Sequence, residues 1–132
     1  MTVASALDAR GQAAVRGVGQ ADLMVGIPSF GNADTIGYVV RAATAGMVQY
    51  FPDLKPVLVN ADGGSPDDTP RVAVSTESPA YLEKMILVRP PHRLRRVAVT
   101  YRGASGKGSA VRALLEVARE LKVEALVLVD SD

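Results

Sequence analysis

Two aspartates near the end of the chain could bind a metal ion. Asp130 and Asp132, separated by one serine, directly follow the apolar run Leu126–Val129, which predicts a buried parallel strand. Open α/β sheets bind their ligands beyond the carboxyl ends of the strands. Carboxylate oxygens are the ligands that hard divalent cations prefer, often together with phosphates of a substrate. This Asp-x-Asp pattern therefore predicts a divalent cation site.

Polar residues also follow two other predicted strands. Pro28, Ser29 and Phe30 come after the first strand, and Asp62 comes after the second. Because parallel strands end at one edge of the sheet, these loops and the Asp-x-Asp pair predict one nucleotide-binding crevice. For Asp62, which directly follows an apolar strand, we favour ligand contact. For Asp67, further along the same loop, we favour helix capping.

A glycine-rich loop carries Lys107 to the start of a predicted helix. Gly106-Lys107-Gly108-Ser109 departs from the P-loop pattern, since Tyr101 stands in place of its first glycine and Gly108 separates the lysine from the serine. The third glycine of the Rossmann fingerprint is also lacking. Backbone N–H groups and the dipole at a helix N-terminus favour an anion. Lys107 is thus either an anion contact or a solvated loop lysine.

Strands and helices alternate along the chain. Apolar runs predict strands at 23–27, 57–61, 97–100 and 126–129, the first ended by Pro28. Asn32 or Asp34 is expected to cap the first helix of the domain. The apolar faces predicted for this helix and the last one are Ile36, Val39, Val40, Ala43 and Met47, and Val111, Leu114, Leu115, Ala118 and Leu121.

This order of elements predicts an α/β fold. We expect a three-layer α/β/α, half-Rossmann-like parallel sheet with strand order 3-2-1-4. Residues 1–20, rich in Ala and Gly, are expected to form a flexible leader that adds little to the core, and residues 21–132 to form the domain.

Composition excludes several classes of protein. Lys plus Arg number 15 against 14 Asp plus Glu, so the basicity of a nucleic-acid binder is absent. Cysteine is absent, which excludes disulfides and fits a cytoplasmic protein. We see no secretory signal and no apolar run of the roughly 20 residues that a membrane span needs.

A local basic cluster could contact phosphates or be a solvated loop. It comprises Arg89, His92, Arg93, Arg95 and Arg96.

Four stretches together resemble the nucleotide-sugar-binding half of a GT-A fold glycosyltransferase, of the family 2 type and its relatives, and the nearer relatives to consider are glucosyl-phosphoglycerate synthases and related sugar transferases. Residues 25–32, 62–69 and 106–110 are similar to the family's opening Pro-aromatic loop, its Asp-Asp-Gly-Ser-x-Asp-x-Thr loop and its Gly-Lys-Gly segment. Residues 130–132 are similar to its Asp-x-Asp motif. Ala61 stands where the family often has the first Asp, and Gly64 resembles an insertion.

The resemblance implies roles for residues in the first three of these stretches. Pro28, Ser29 and Phe30 would shape the pocket for the base and ribose of a nucleotide diphosphate sugar. Asp62 would hydrogen-bond the base, and Lys107 would lie near the base or the diphosphate.

The same resemblance implies a metal-dependent reaction. Asp130 would contact the ribose or the metal, and Asp132 would ligate Mg²⁺ or Mn²⁺ bridging the diphosphate of the donor. In this family the acceptor pocket lies beyond Asp-x-Asp. We therefore expect this chain to be a truncated piece that transfers no sugar by itself. The sequence does not identify the acceptor of the whole enzyme.

Two other functions stay open. A sugar-phosphate nucleotidyltransferase uses a similar sheet, but opens with a Gly-rich, Arg-containing loop where this chain has Pro28-Ser29-Phe30-Gly31. A non-catalytic nucleotide-binding module would keep the sheet without the chemistry.

The last strand would expose a sheet edge, which makes an oligomer possible.

Overall fold

A computed structural model describes residues 5–76, 94–101 and 106–132. In these residues helices alternate with strands as the sequence predicts. The elements in chain order are α1 (Ala9–Val18), β1 (Leu23–Ser29), α2 (Ile36–Tyr50), β2 (Pro56–Asp62), α3 (Thr69–Ser75), β3 (Arg95–Thr100), α4 (Lys107–Glu120) and β4 (Ala125–Leu128). No helix of the described residues is long and apolar enough to cross a membrane.

The four strands form one parallel sheet in the order β3-β2-β1-β4, which confirms the predicted α/β fold and strand order. Strand β1 runs past its predicted end, with Pro28 opposite Ala61 and Ser29 opposite Asp62. The carbonyl of Gly26 points toward β4 and accepts a hydrogen bond from the N–H of Val129. Since backbone groups two residues apart point to the same side of a strand, the backbone nitrogen of Pro28 also faces β4. Because the β4 pairing stops at Gly26, the missing N–H of Pro28 interrupts no ladder there.

Each face of the sheet buries its own apolar cluster, so the domain has three layers. On one face, Met24 and Val59 pack with residues of α1 and α4. On the other face, Val25 and Leu58 pack with residues of α2 and α3. The alternation follows from the two-residue period of a strand, and a parallel sheet covered on both faces requires apolar residues on both.

The N-terminal residues contribute more to the core than their composition predicts. Asp8 caps α1 by accepting a hydrogen bond from the N–H of Gly11 at 2.8 Å, and Leu7, Val15 and Val18 are buried in the cluster beneath α4. The expectation that residues 1–20 add little to the core is therefore wrong for this described part. The cause is that these three apolar residues cover sheet surface that α4 leaves open.

Two predictions of burial are wrong in the last two elements. The run Leu126–Val129 predicts a buried strand, but Val127 and Leu128 are 47% and 45% exposed, because β4 lies at the edge of the sheet, where the predicted strand order places it. In α4, Leu115 is 54% exposed, because the buried stripe is rotated toward smaller residues. That stripe consists of Ala110, Ala113, Leu114, Val117 and, just after the helix, Leu121.

Candidate functional site

A cavity of about 450 Å³ opens where β1 and β4 end. Such a volume lies within the roughly 300–1,000 Å³ typical of small-molecule sites. Every residue predicted for the site except Asp62 is part of its wall. The wall consists of Pro28, Ser29, Phe30, Asn32, Tyr101, Gly106, Lys107, Ala110, Asp130, Ser131 and Asp132.

Asp62, which the sequence favours as a ligand contact, is 1% exposed and faces its own loop. Its Oδ1 accepts from the hydroxyls of Ser29 at 2.9 Å and Ser65 at 2.5 Å. Its Oδ2 accepts from the N–H groups of Gly64 at 3.0 Å and Ser65 at 2.7 Å. Both carboxylate oxygens are therefore engaged by protein donors, and Asp62 shapes the loop that follows β2.

The loop after β2 in turn supports the loop after β1. The N–H of Gly31 donates to Ser65 Oγ at 2.8 Å, and the N–H of Asn32 donates to Thr69 Oγ1 at 2.9 Å. Gly64 adopts φ +85°, a conformation that glycine reaches without a steric cost. Polar residues of the stretch 62–69 thus form a scaffold that fixes the chain around Phe30.

Asp67 stabilises the turn before α3 but lies one residue before the N-cap position, so the prediction that it caps the helix is wrong. Its Oδ1 accepts from the N–H of Thr69 at 3.1 Å and from the hydroxyl of Thr69, and its Oδ2 accepts from the N–H of Ala33 at 3.3 Å. The hydrogen bond from the Thr69 hydroxyl lowers the pKa of Asp67. Asp68 occupies the N-cap position itself, without a hydrogen bond from its side chain to the helix.

Ser131, the middle residue of Asp-x-Asp, is a buried anchor. Its hydroxyl donates to Asn32 Oδ1 at 2.8 Å, and its carbonyl accepts from the Thr35 hydroxyl at 2.8 Å. Asn32 Oδ1 also accepts from the N–H of Phe30 at 3.0 Å. The last loop is thereby fixed to the first, which leaves the aspartates on both sides of Ser131 exposed.

The same contacts correct the predicted start of α2. Thr35 occupies the N-cap position, and neither Asn32 nor Asp34 fills it. The side chain of Asn32 is directed to Ser131 instead, while its backbone carbonyl accepts from the N–H of Ile36 at 2.9 Å. A capping residue and a loop-bridging residue have the same polar character, so the sequence did not distinguish these uses.

Lys107 lies at the first residue of α4 and pairs with Asp130. Its Nζ is 2.6 Å from Asp130 Oδ1, with the two side chains 68% and 65% exposed. The hydrogen bond from Lys107 to Asp130, together with the charges of Asp130 and Asp132, raises the pKa of Lys107. The ammonium is therefore charged at neutral pH and is paired with Asp130.

Two aromatic residues also line the cavity. Phe30 is 59% exposed, and Tyr101 reaches the carbonyl of Gly106 at 3.4 Å. A Cβ on Gly63 would lie 2.6 Å from Tyr101 Oη and 3.3 Å from Phe30 Cδ2. Glycine at this position lets both rings approach the loop closely, and an added Cβ would force the Tyr101 ring to shift. Sequence reasoning did not single out Tyr101, which follows β3 without a recognisable motif.

The carboxylates at the site suit a metal ion that brings further ligands with it. Among the described residues, no group of three or more His, Cys, Asp or Glu side chains could hold a metal. Asp130 and Asp132 supply two carboxylates in the cavity wall. Mg²⁺ in proteins commonly takes one or two carboxylates together with substrate phosphates. The donor set therefore fits a cation that binds with a phosphate ligand.

The predicted basic cluster lies partly outside the described residues. Arg89, His92 and Arg93 belong to that undescribed part. Arg95 and Arg96 begin β3, at the end of the sheet opposite the cavity, and Arg96 donates to the carbonyl of Thr76 at 2.5 Å. The two described members thus do not take part in the cavity.

No family model matches this chain, and a search of curated proteins gives no match either.

Proposed function

We propose that this chain binds a nucleoside diphosphate sugar together with Mg²⁺ or Mn²⁺, as the donor-binding part of a metal-dependent glycosyltransferase. The observation that carries this proposal is the composition of one cavity wall. An exposed aromatic ring, a helix N-terminus with a lysine and an Asp-x-Asp pair meet there, and they suit the base, the diphosphate and the metal of one ligand. The family resemblance of the sequence supports the same ligand.

The aromatic side of the cavity suits the base. Phe30 leaves most of its ring open to solvent, although burial of an aromatic side chain is favourable. A planar base stacked on such a ring contributes about 1–3 kcal/mol in other nucleotide sites. Ser29 and Pro28 form the adjoining wall at the end of β1, so the ribose would lie between β1 and β4.

The start of α4 suits the diphosphate. The first backbone N–H groups of α4 have no partner within the helix, and they and the positive end of the helix dipole favour an anion. Lys107 adds a full positive charge at the same place. Asp130 and Asp132 would hold the cation against the phosphates, and a bound cation would neutralise charge that develops on the leaving diphosphate.

Calorimetric titration tests this proposal. The protein is titrated with UDP-glucose, GDP-mannose and the corresponding nucleoside triphosphates, with Mn²⁺ present or removed by EDTA. We expect one nucleotide sugar to bind only with Mn²⁺, and Asp132→Ala to abolish that binding. Asp53→Ala, which removes an exposed carboxylate outside the cavity wall, is the matched control and should bind normally.

The other outcomes separate the alternatives. Preference for a nucleoside triphosphate would favour a nucleotidyltransferase. Binding that persists in EDTA, or no binding of any nucleotide, would contradict the proposal and favour a non-catalytic module.

A further inference from the structure

We propose that Lys107 is an exchangeable counter-cation for Asp130. In the ligand-free protein its ammonium occupies the position at Asp130 that a divalent cation needs. When a cation arrives with a diphosphate, the cation replaces the ammonium, and Lys107 moves to the diphosphate. The inference rests on the proposed function and adds how binding of the two ligands is coupled.

The geometry of the pair supports this exchange. Lys107 Nζ and Asp130 Oδ1 are 2.6 Å apart, so a cation coordinated by that oxygen competes with the ammonium for it and is repelled by its charge. Both side chains are about two-thirds exposed, and an exposed ion pair is weak enough to be exchanged readily. Lys107 therefore opposes a cation that arrives alone but does not block the site.

The charges around the cavity explain why a diphosphate would reverse this opposition. Among the described residues of the cavity wall, Lys107 is the only cationic side chain, and Asp130 and Asp132 are the only acidic ones. A cation alone would leave Lys107 beside a like charge. A diphosphate offers the displaced ammonium new acceptor oxygens, and hydrogen bonds between charged groups are the stronger ones. The lysine thus favours joint binding over binding of the cation alone.

Water-proton relaxation with Mn²⁺ measures cation binding directly, without any assay of catalysis. Wild type, Lys107→Met and Lys107→Gln are titrated with Mn²⁺ alone, and then with UDP-glucose or GDP-mannose at saturating Mn²⁺. Lys122→Met removes the same charge at the far end of α4, a helix of 14 residues that spans about 21 Å. It is the matched control.

Removal of the Lys107 charge should change the affinity for Mn²⁺ alone and the affinity for the nucleotide sugar with Mn²⁺ in opposite directions. Both Lys107 variants should bind Mn²⁺ alone about two- to fivefold more tightly than wild type, since the competing ion pair is lost. They should bind the nucleotide sugar with Mn²⁺ about tenfold more weakly, since a charged phosphate contact is lost. Lys122→Met should match wild type in both titrations.

The contrary results are distinguishable. If wild type binds the nucleotide sugar with Mn²⁺ but the Lys107 variants bind Mn²⁺ alone no more tightly, the exchange is wrong and the proposed function stands. If wild type binds no nucleotide sugar with Mn²⁺, both are wrong.

Discussion

The substitution Asp62→Asn distinguishes a residue that shapes the loop from one that contacts the ligand. In the structure the Asp62 carboxylate is buried and accepts hydrogen bonds from two hydroxyls and two backbone N–H groups. The resemblance of the sequence implies instead that Asp62 contacts the base. An asparagine keeps the shape of the side chain but replaces one acceptor oxygen with an NH₂ donor.

The expected loss of stability follows from those contacts. If the amide oxygen stays with the hydroxyls of Ser29 and Ser65, the NH₂ group faces the N–H groups of Gly64 and Ser65. Two hydrogen bonds to a charged acceptor are lost. Gly64 is exposed, so water partly replaces one partner, and we take about 1.5 kcal/mol for each bond. The free energy of unfolding should fall by about 3 kcal/mol.

Urea unfolding at pH 7, followed by circular dichroism, measures this change. Asp53→Asn, at an exposed site, should change the free energy of unfolding by less than about 0.5 kcal/mol. The reasoning would be refuted if Asp62→Asn unfolded like wild type but no longer bound the nucleotide sugar. That result would mean that Asp62 contacts the ligand directly.

Four further substitutions test the site and the core. Ser131→Ala should lower the free energy of unfolding in urea by about 1 kcal/mol. It should also weaken binding of the nucleotide sugar with Mn²⁺ several-fold, because the anchor between the two aspartates is lost. Normal affinity would show that binding does not need this anchor. Gly63→Ala should displace the Tyr101 ring, whose Oη lies 2.6 Å from the added Cβ. Calorimetry should then show weaker binding of the nucleotide sugar with Mn²⁺. Unchanged affinity would exclude a role for that ring in binding. Leu114→Ala should lower the free energy of unfolding by about 2–5 kcal/mol and Leu115→Ala by less than about 1 kcal/mol, since only the first side chain is fully buried. Equal losses would contradict the observed orientation of α4.

The sheet was predictable because alternating strand and helix patterns leave few topologies. Burial within the elements was less predictable. The run Leu126–Val129 has the composition of a central strand, and only its place at the sheet edge leaves Val127 exposed. In α4 the apolar residues occupy more than one face, and the spacing predicts burial of Leu115, whereas Ala113 is the buried residue. The position of an element in the fold determines both outcomes.

The cavity wall was largely predictable, since parallel strands deliver their following residues to one edge. Phe30, Lys107 and Asp130 are brought together there. The direction of the Asp62 side chain was not predictable, because it depends on the loop conformation around Gly64, with φ +85°. Hydrogen bonds between residues about 100 positions apart, such as the anchor at Ser131, leave no signal in local spacing.

A crystal structure of the protein with Mn²⁺ and a nucleoside diphosphate sugar would test the proposed function most directly. The anomalous signal of manganese locates the cation independently of the nucleotide. We expect one manganese peak at Asp132, bound to the diphosphate, with the base against Phe30 and the Lys107 ammonium on the phosphates rather than on Asp130. A nucleotide elsewhere on the protein, or a nucleotide in the cavity with no manganese at the Asp-x-Asp pair, would contradict the account.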